Sequence, residues 1–223
     1  MDRATLPPRQ EIARDLSDRA DPIEHLAAWA RRRLGDINHE RRVQQIGEAL
    51  FDLTRDLHGL GRTDKRLLSA AAMLHDVGRS VDPAEHERIG AEMILSDPWL
   101  RLSPDARRQL AYLTLYHRGP VPDLGRDEIL RSTDDRQGLR KVLGLLRAAD
   151  TLDSRSIDPP HLVLVRRDRR IRVNCHVHER MEKARKVFCR PKKYRLLEET
   201  LRCRIEVHVE LDGALPRSSI SGL

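Results

Sequence analysis

At 223 residues, with a net charge of +7 and aromatic residues at only 3%, the chain is long enough to bury one sizeable core and too poor in aromatic rings to offer much stacking to nucleic-acid bases; a disulfide-stapled miniprotein is excluded. Its three cysteines, Cys175, Cys189 and Cys203, are far apart and odd in number, which argues against a disulfide framework or a zinc ribbon and points to a reducing cytosol. The N-terminus MDRATLPPRQ lacks the apolar centre of a secretory signal, and no apolar run approaches the roughly 20 residues that span a bilayer, so a soluble, cytoplasmic protein is expected.

Asp21 followed by Pro22 reads as an N-cap with proline at the first helical position, and Ile23, Leu26, Ala27, Ala30 and Leu34 form a stripe that ends at Gly35. Asn38 can cap a second helix, whose stripe His39, Val43, Ile46, Leu50, Leu53, Leu57 alternates steps of four and three and stops at Gly59. A third helix starts at Thr63 and runs through LLSAAAMLHDV to Gly78. Asp82 and Pro83 open a fourth, with His86, Ile89 and Met93 on one face; Ser103 and Pro104 open a fifth, with Ala106, Leu110, Leu113 and His117 aligned. After the polar loop RSTDDRQG, the sixth helix aligns Leu139, Leu143, Leu146 and Asp150.

From His161 the hydrophobic period changes to two, in HLVLV, IRVNCHV and CRIEVHVEL, with a charged RRDRR turn between the first two. A helix from about residue 179 to 202, interrupted or kinked near Pro191, separates the second strand from the third. The patterns predict a mainly α fold: a helical bundle over residues 21–158, then a small antiparallel α+β appendage over 159–212 that packs against it and supports a homodimer. Residues 1–20 and 213–223 are expected to be loosely ordered. The charge is uneven, with +8 in residues 161–223 and −1 in residues 1–160. A basic appendage could meet nucleic acid, an acidic protein or polyphosphate, but a solvated charged face is the preferred explanation.

His39, His86, His117 and Asp150 each fall on the apolar stripe of a different predicted helix, and the pair His75–Asp76 ends another. An ionisable group on a core-facing stripe is costly unless it is paired or bound to a metal. A single such histidine is more often a satisfied core residue than a ligand. Six groups on five helices are harder to explain that way, because convergence on one point would satisfy them all. Imidazoles combined with carboxylates suit transition-metal cations, and a carboxylate can bridge two ions. His25, His58, His161, His176, His178 and His208 lack that context and are read as ordinary surface or sheet residues.

At these residues the sequence resembles the HD-domain superfamily of metal-dependent phosphohydrolases, whose signature is a His, a His-Asp doublet and a distal Asp. Here they are His39 in NHERRV, His75 and Asp76 in LHDVG, and Asp150 in LRAADTLD. Binuclear members add two histidines, matched by His86 in AEHERIGAEMI and His117 in LTLYHRGPVP. The resemblance covers about residues 37–155 and implies an HD-type helical bundle holding two divalent ions (Mn, Fe, Mg, Co or Zn). Asp76 would be shared, His39, His75 and Asp150 would complete one site, and His86 and His117 would serve the other. ALFDLTRDLHGLG, LLSAAAMLHDVG, YHRG and RKVLGLLRAADTLDSRS are similar to the C-terminal domain of the exopolyphosphatase and guanosine pentaphosphatase family, over about residues 39–211. That family's hydrolytic chemistry belongs to N-terminal actin-like domains for which this chain has no room, so polyphosphate hydrolysis does not carry over; the helical domain is expected to stand alone.

Two divalent ions about 3.5–4 Å apart can acidify a bridging water and neutralise phosphate oxygens, which suits phosphoester or phosphoanhydride hydrolysis. Arg79, three residues after Asp76, and Arg118, next to His117, are placed to reach nonbridging oxygens; equally, both could be solvated surface arginines in an Arg-rich chain. Arg147 and Asp153, a turn to either side of Asp150, are candidates for orienting the ligands. The favoured function is an HD-type phosphohydrolase acting on a nucleotide or other small phosphorylated compound, with Asp76, Arg79 and Arg118 as catalytic candidates. A regulatory module that binds a phosphorylated ligand without turnover is the alternative, and a diiron oxygenase using the same ligand set the third.

Overall fold

The computed structural model describes residues 22–178 and 180–212; the Asp21 cap and the expected loose ends 1–20 and 213–223 lie outside the described residues. Helix α1 (Pro22–Leu34) buries Leu26, Ala27, Trp29 and Ala30 and stops at Gly35. There a φ of +79° lets the Gly35 amide turn back onto the Arg31 carbonyl at 2.9 Å. Helix α2 (Asn38–Leu53) follows. Its amino end differs from expectation: Asp36 Oδ1 accepts from the Asn38 amide at 3.0 Å, because Asn38 already stands in the first turn. The stripe also breaks before Gly59. Thr54 turns its hydroxyl onto the Leu50 carbonyl at 2.7 Å, and a separate turn, α3 (Arg55–His58), completes the run.

His58 is not a surface residue. It is buried, its Nε2 donates to the Phe51 carbonyl at 2.9 Å and its Nδ1 accepts from the Leu60 amide at 2.8 Å, so it holds the end of α3. His176 is likewise buried, on the sheet.

Helix α4 (Arg62–Leu74) starts one residue earlier than Thr63, where Asp64 Oδ2 accepts from the Gly61 amide. It ends before the His75–Asp76 pair, and a 3-10 turn (Val77–Ser80) carries the chain away. Helix α5 (His86–Ser96) begins three residues after Pro83, because Asp82 Oδ1 binds the Ala84 amide in a turn. Helix α6 (Pro104–Leu115) is capped by Ser103 as expected, at 3.2 Å from the Ala106 amide, but His117 lies just past its end. Helix α7 (Arg136–Leu152) is capped by Asp135 on Gly138 at 2.9 Å. Leu50, Leu68, Met73, Leu113 and Leu146 are buried at the centre of this bundle; each contributes on the order of 1.5–3 kcal/mol relative to exposure.

Strands β1 (His161–Arg167) and β2 (Arg170–Val177) are antiparallel, joined at Asp168. Helices α8 (Met181–Phe188) and α9 (Pro191–Leu201), separated at Pro191 as expected, lead to β3 (Arg204–Leu211). The expected all-antiparallel appendage is corrected here: β3 pairs parallel to β2, with Ile171 opposite Ile205. The two helices act as a crossover that returns the chain to the end where β2 began, which is what a parallel neighbour requires. Ile171, Val173, Cys175 and Val177 bury one face of β2 together with Phe188, Tyr194 and Leu197. The appendage is docked on the bundle by backbone-close packing. A Cβ on Gly144 of α7 would stand 3.0 Å from the Leu197 Cα of α9, so any side chain there would push α9 outward by a few tenths of an ångström. Cys175, Cys189 and Cys203 are all free thiols, and among the described residues no helix is long and apolar enough to cross a membrane.

Candidate metal centre

The six groups singled out in the sequence converge, though they come from five separate places in the chain. His39 enters from the first turn of α2, Asp150 from the last turn of α7, and His75 and Asp76 from the corner after α4. His86 stands at the start of α5 and His117 just beyond α6. All six are buried. The corner that presents His75 and Asp76 is made possible by Gly78, where a Cβ would lie 2.2 Å from the His86 carbonyl oxygen and 2.6 Å from the Gly90 nitrogen. The start of α5 therefore sits directly against the 3-10 turn, and His86 is brought next to Asp76.

The outward nitrogens fix how the rings face. His75 Nδ1 donates to the Ala72 carbonyl at 2.8 Å, His86 Nδ1 to the Pro83 carbonyl at 2.8 Å, and His117 Nδ1 to the Thr114 carbonyl at 2.6 Å. His39 Nδ1 donates to Asp153 Oδ2 at 2.7 Å. A neutral imidazole whose Nδ1 carries the proton has its lone pair on Nε2, and all four Nε2 atoms turn inward. Asp76 Oδ1 lies 3.2 Å from His86 Nε2 and 3.6 Å from His117 Nε2, while its Oδ2 lies 3.8 Å from His39 Nε2. Asp150 Oδ1 is 3.3 Å from His39 Nε2 and 3.6 Å from His75 Nε2.

Two groups of ligand-type atoms result, His39–His75–Asp76 and Asp76–His86–His117, with Asp76 common to both. Asp150 lies beside the first, with Oδ1 3.3 Å from His39 Nε2. These residues fit a cation better than they fit one another. His39 Nε2, His75 Nε2 and Asp76 Oδ1 are buried without a hydrogen-bond partner, and two imidazole nitrogens, His86 Nε2 and His117 Nε2, face each other at 3.3 Å. Two lone pairs at that separation repel unless a proton or a cation lies between them.

Electrostatics agree with a site built to hold positive charge. Burial alone would push the Asp76 carboxyl up, but His75, His117 and His86 hold it well below the usual carboxylate range. Asp150 is held low in the same way, by His39 and His75 against the effect of burial. Burial pushes His75 down, yet Asp76 and Asp150 overcome it and raise the imidazole to about 9. His117, with burial dominant, is lowered.

A cavity of about 280 Å³ opens beside the carboxylates, lined in part by His39 and Asp150. Arg79 and Arg118 both line it: Arg79 Nε is 3.7 Å from Asp76 Oδ2, and an Arg118 Nη is 3.5 Å from Asp150 Oδ2. Asp153 orients His39 and is itself held by Arg42 Nε at 2.7 Å. Arg147 acts differently from its neighbour. It turns to the carbonyls of Tyr116 at 2.7 Å and Gly119 at 2.7 Å and fixes the loop that carries His117 and Arg118.

Four residues at the site carry no motif signature in the sequence pattern: Arg155, Glu40, Arg190 and Lys193. Arg155 Nε donates to Asp76 Oδ2 at 3.0 Å, and the same guanidinium pairs with Glu40, which is fully buried beside His39. A glutamate next to a stripe histidine, unexplained by any other feature, was the available signal. Arg190 and Lys193 also line the cavity, from the appendage.

Residues 26–186 match the family described as Ppx/GppA phosphatase, domain III. No curated protein matches the chain. The match spans most of the bundle and the first two strands, including all six converging groups, and the chain belongs to the Ppx/GppA phosphatase domain III family.

Proposed function

We propose that the protein is a metal-dependent phosphohydrolase that cleaves a phosphoester or phosphoanhydride bond of a small phosphorylated compound. The observation that carries this reading is the convergence of four imidazole Nε2 atoms on two low-pKa carboxylates, with three buried ligand-type atoms left without partners. His39, His75 and Asp150 would hold one divalent cation, His86 and His117 a second, and Asp76 both. Such ions, when bound, supply a nucleophile at neutral pH by acidifying water and offset charge on phosphate oxygens.

The chain's own residues do the remaining work. Arg79, Arg118 and Arg155 present guanidinium groups at the cavity wall, where they would hold nonbridging oxygens and stabilise charge that builds up in the transition state. The four Nδ1 hydrogen bonds keep each Nε2 lone pair aimed inward and pre-set the geometry before any ligand arrives. Arg147 keeps Arg118 on the cavity side by anchoring its loop.

One observation favours the second reading, a binding module without turnover. Arg155 already neutralises one oxygen of Asp76 and the buried Glu40, so the site carries a resident cation of its own. The two readings separate on a single experiment. Protein purified without added metal is analysed for metal content, then assayed against phosphorylated compounds with Mn²⁺, Mg²⁺, Co²⁺, Zn²⁺ or Fe²⁺. Turnover abolished by chelation supports the hydrolase; tight ligand binding with no turnover under any metal supports the module.

A further inference from the structure

The cavity beside the carboxylates is unusual in what its far wall offers. Arg190 and Lys193 come from the appendage, at the break between α8 and α9, and both are exposed. Among the described residues neither has a carboxylate within ion-pair distance; Arg190 makes one hydrogen bond, from Nε to the Lys186 carbonyl at 2.6 Å. Partial desolvation where its stem meets the cavity wall, then Arg118, push the Lys193 ammonium below its ordinary value; Asp150 opposes the shift and Arg190 adds to it. The appendage cations therefore stand in the field of the arginine beside Asp150. Five cationic side chains line one cavity, Arg79, Arg118, Arg155, Arg190 and Lys193, and only the first three touch the carboxylates.

Asp150 and Asp153 also line the cavity, so the three arginines are balanced there, but Arg190 and Lys193 have no counter-ion among the described residues, and two cations left side by side favour an anion joining them. One phosphate engaged at the carboxylate end would already occupy the three arginines there, so the appendage pair is left for a second anionic group. The wall contains no Phe, Tyr or Trp and a single aliphatic side chain, Val187; nothing on it would stack on a base. At about 280 Å³ the cavity suits a compact ligand, near the lower end of small-molecule sites.

Resting on the phosphohydrolase reading, the geometry points to a second anion subsite formed by Arg190 and Lys193, which selects a compact ligand carrying at least two phosphate groups and reads its charge, not a base. The close packing of α9 on α7 at Gly144 and Leu197 is what holds this subsite over the site. The appendage thus determines specificity, with both cations standing at the break between α8 and α9.

The test is calorimetric titration of the full chain, without added divalent metal, by orthophosphate, pyrophosphate, fructose 1,6-bisphosphate and ADP. The wild-type chain should bind pyrophosphate or fructose 1,6-bisphosphate at least tenfold more tightly than orthophosphate. The exposed pair Arg190→Gln with Lys193→Gln should remove that preference while the thermal melt stays in place, and should weaken orthophosphate less than twofold. No preference for either doubly phosphorylated probe, or an equal loss for all probes in the double variant, overturns the subsite. ADP binding more than tenfold tighter than pyrophosphate overturns reading by charge alone. Hydrolysis is scored separately. A lack of turnover beside a preference that the double variant loses would remove the hydrolase and keep the subsite. Turnover of a bisphosphate with an unchanged KM in the double variant would do the reverse.

Discussion

His39 and Asp153, 114 positions apart, share a 2.7 Å hydrogen bond between Nδ1 and Oδ2. The bond ties the start of α2 to the residue after α7, and it sets which nitrogen of His39 carries the proton. Burial pushes the Asp153 carboxyl up, but His39 and Arg42 hold it below its ordinary value, so it is an anion at neutral pH. An asparagine there keeps the shape and loses the charge. The Asp153→Asn variant should fold, and its metal affinity should fall by roughly 10–100-fold. A competition titration with a chelating dye checks this; unchanged affinity would mean that the bond is structural only.

Gly78 predicts a different kind of damage. A methyl group there meets backbone, the His86 carbonyl oxygen and the Gly90 nitrogen, and backbone cannot step aside as a side chain can. Gly78→Ala should destabilise the fold by about 1–3 kcal/mol through overpacking. Because the displaced helix carries His86, the variant should also lose the cation held with His117 before the one held with His75. Thermal melts together with metal analysis test both parts, and a variant that melts at the wild-type temperature contradicts the packing.

Arg155 is the partner of a fully buried glutamate. Removing it leaves the buried Glu40 without its ion-pair partner, at a cost of about 1–3 kcal/mol. Arg155→Ala should therefore melt lower, and adding Glu40→Gln should restore part of the loss. Urea unfolding of the single and double variants measures this. A double variant less stable than Arg155→Ala would show that Glu40 has another role.

The pH dependence of the metal-free protein follows from His75. Its imidazole is raised to about 9, against the pull of burial, by Asp76 and Asp150, from roughly 6.5 in the unfolded chain. A group raised on folding adds stability that is fully present below the unfolded value and is lost as pH climbs through the folded one. The melting temperature of metal-free protein should fall by several degrees between pH 6.5 and 9. Metal binding displaces that proton, so metal affinity should rise over the same interval. Scanning calorimetry with and without Mn²⁺ checks the signs; a metal-free melting temperature that rises over this range would contradict them.

The convergence of the six polar groups was legible because burial and polarity conflict at the same positions. His39, His86 and Asp150 sit on stripes that otherwise read Val, Leu and Ile, and six such conflicts have one common resolution. Helix starts were less legible where a turn competed with the cap. Asp82 and Pro83 satisfy a local turn, so α5 waits until His86. The direction of β3 was not legible at all. Alternation fixes which face of a strand is buried, but it is silent on whether the neighbour runs parallel, and here the α8–α9 crossover decides it. Arg155, Arg190 and Lys193 were missed for a related reason. An arginine in an Arg-rich chain carries no pattern; Arg155 finds its partners only through the chain's return past Asp150, and Arg190 and Lys193 reach the cavity only when the appendage packs on α7.

Under the proposed function, Asp76 would be shared by two cation positions, one oxygen turned to His86 and His117 and the other toward His39. Elemental analysis of the wild-type chain, Asp76→Asn and His86→Ala, each purified identically and dialysed against limiting Mn²⁺, tests it most directly. Asparagine preserves the volume but removes the negative charge that allows two cations to lie close together. The wild-type chain should hold about two ions, His86→Ala about one, and Asp76→Asn one or none, with all three folded by circular dichroism. Wild-type stoichiometry in the Asp76→Asn variant would contradict the shared-carboxylate site and leave the buried cluster as a structural polar network.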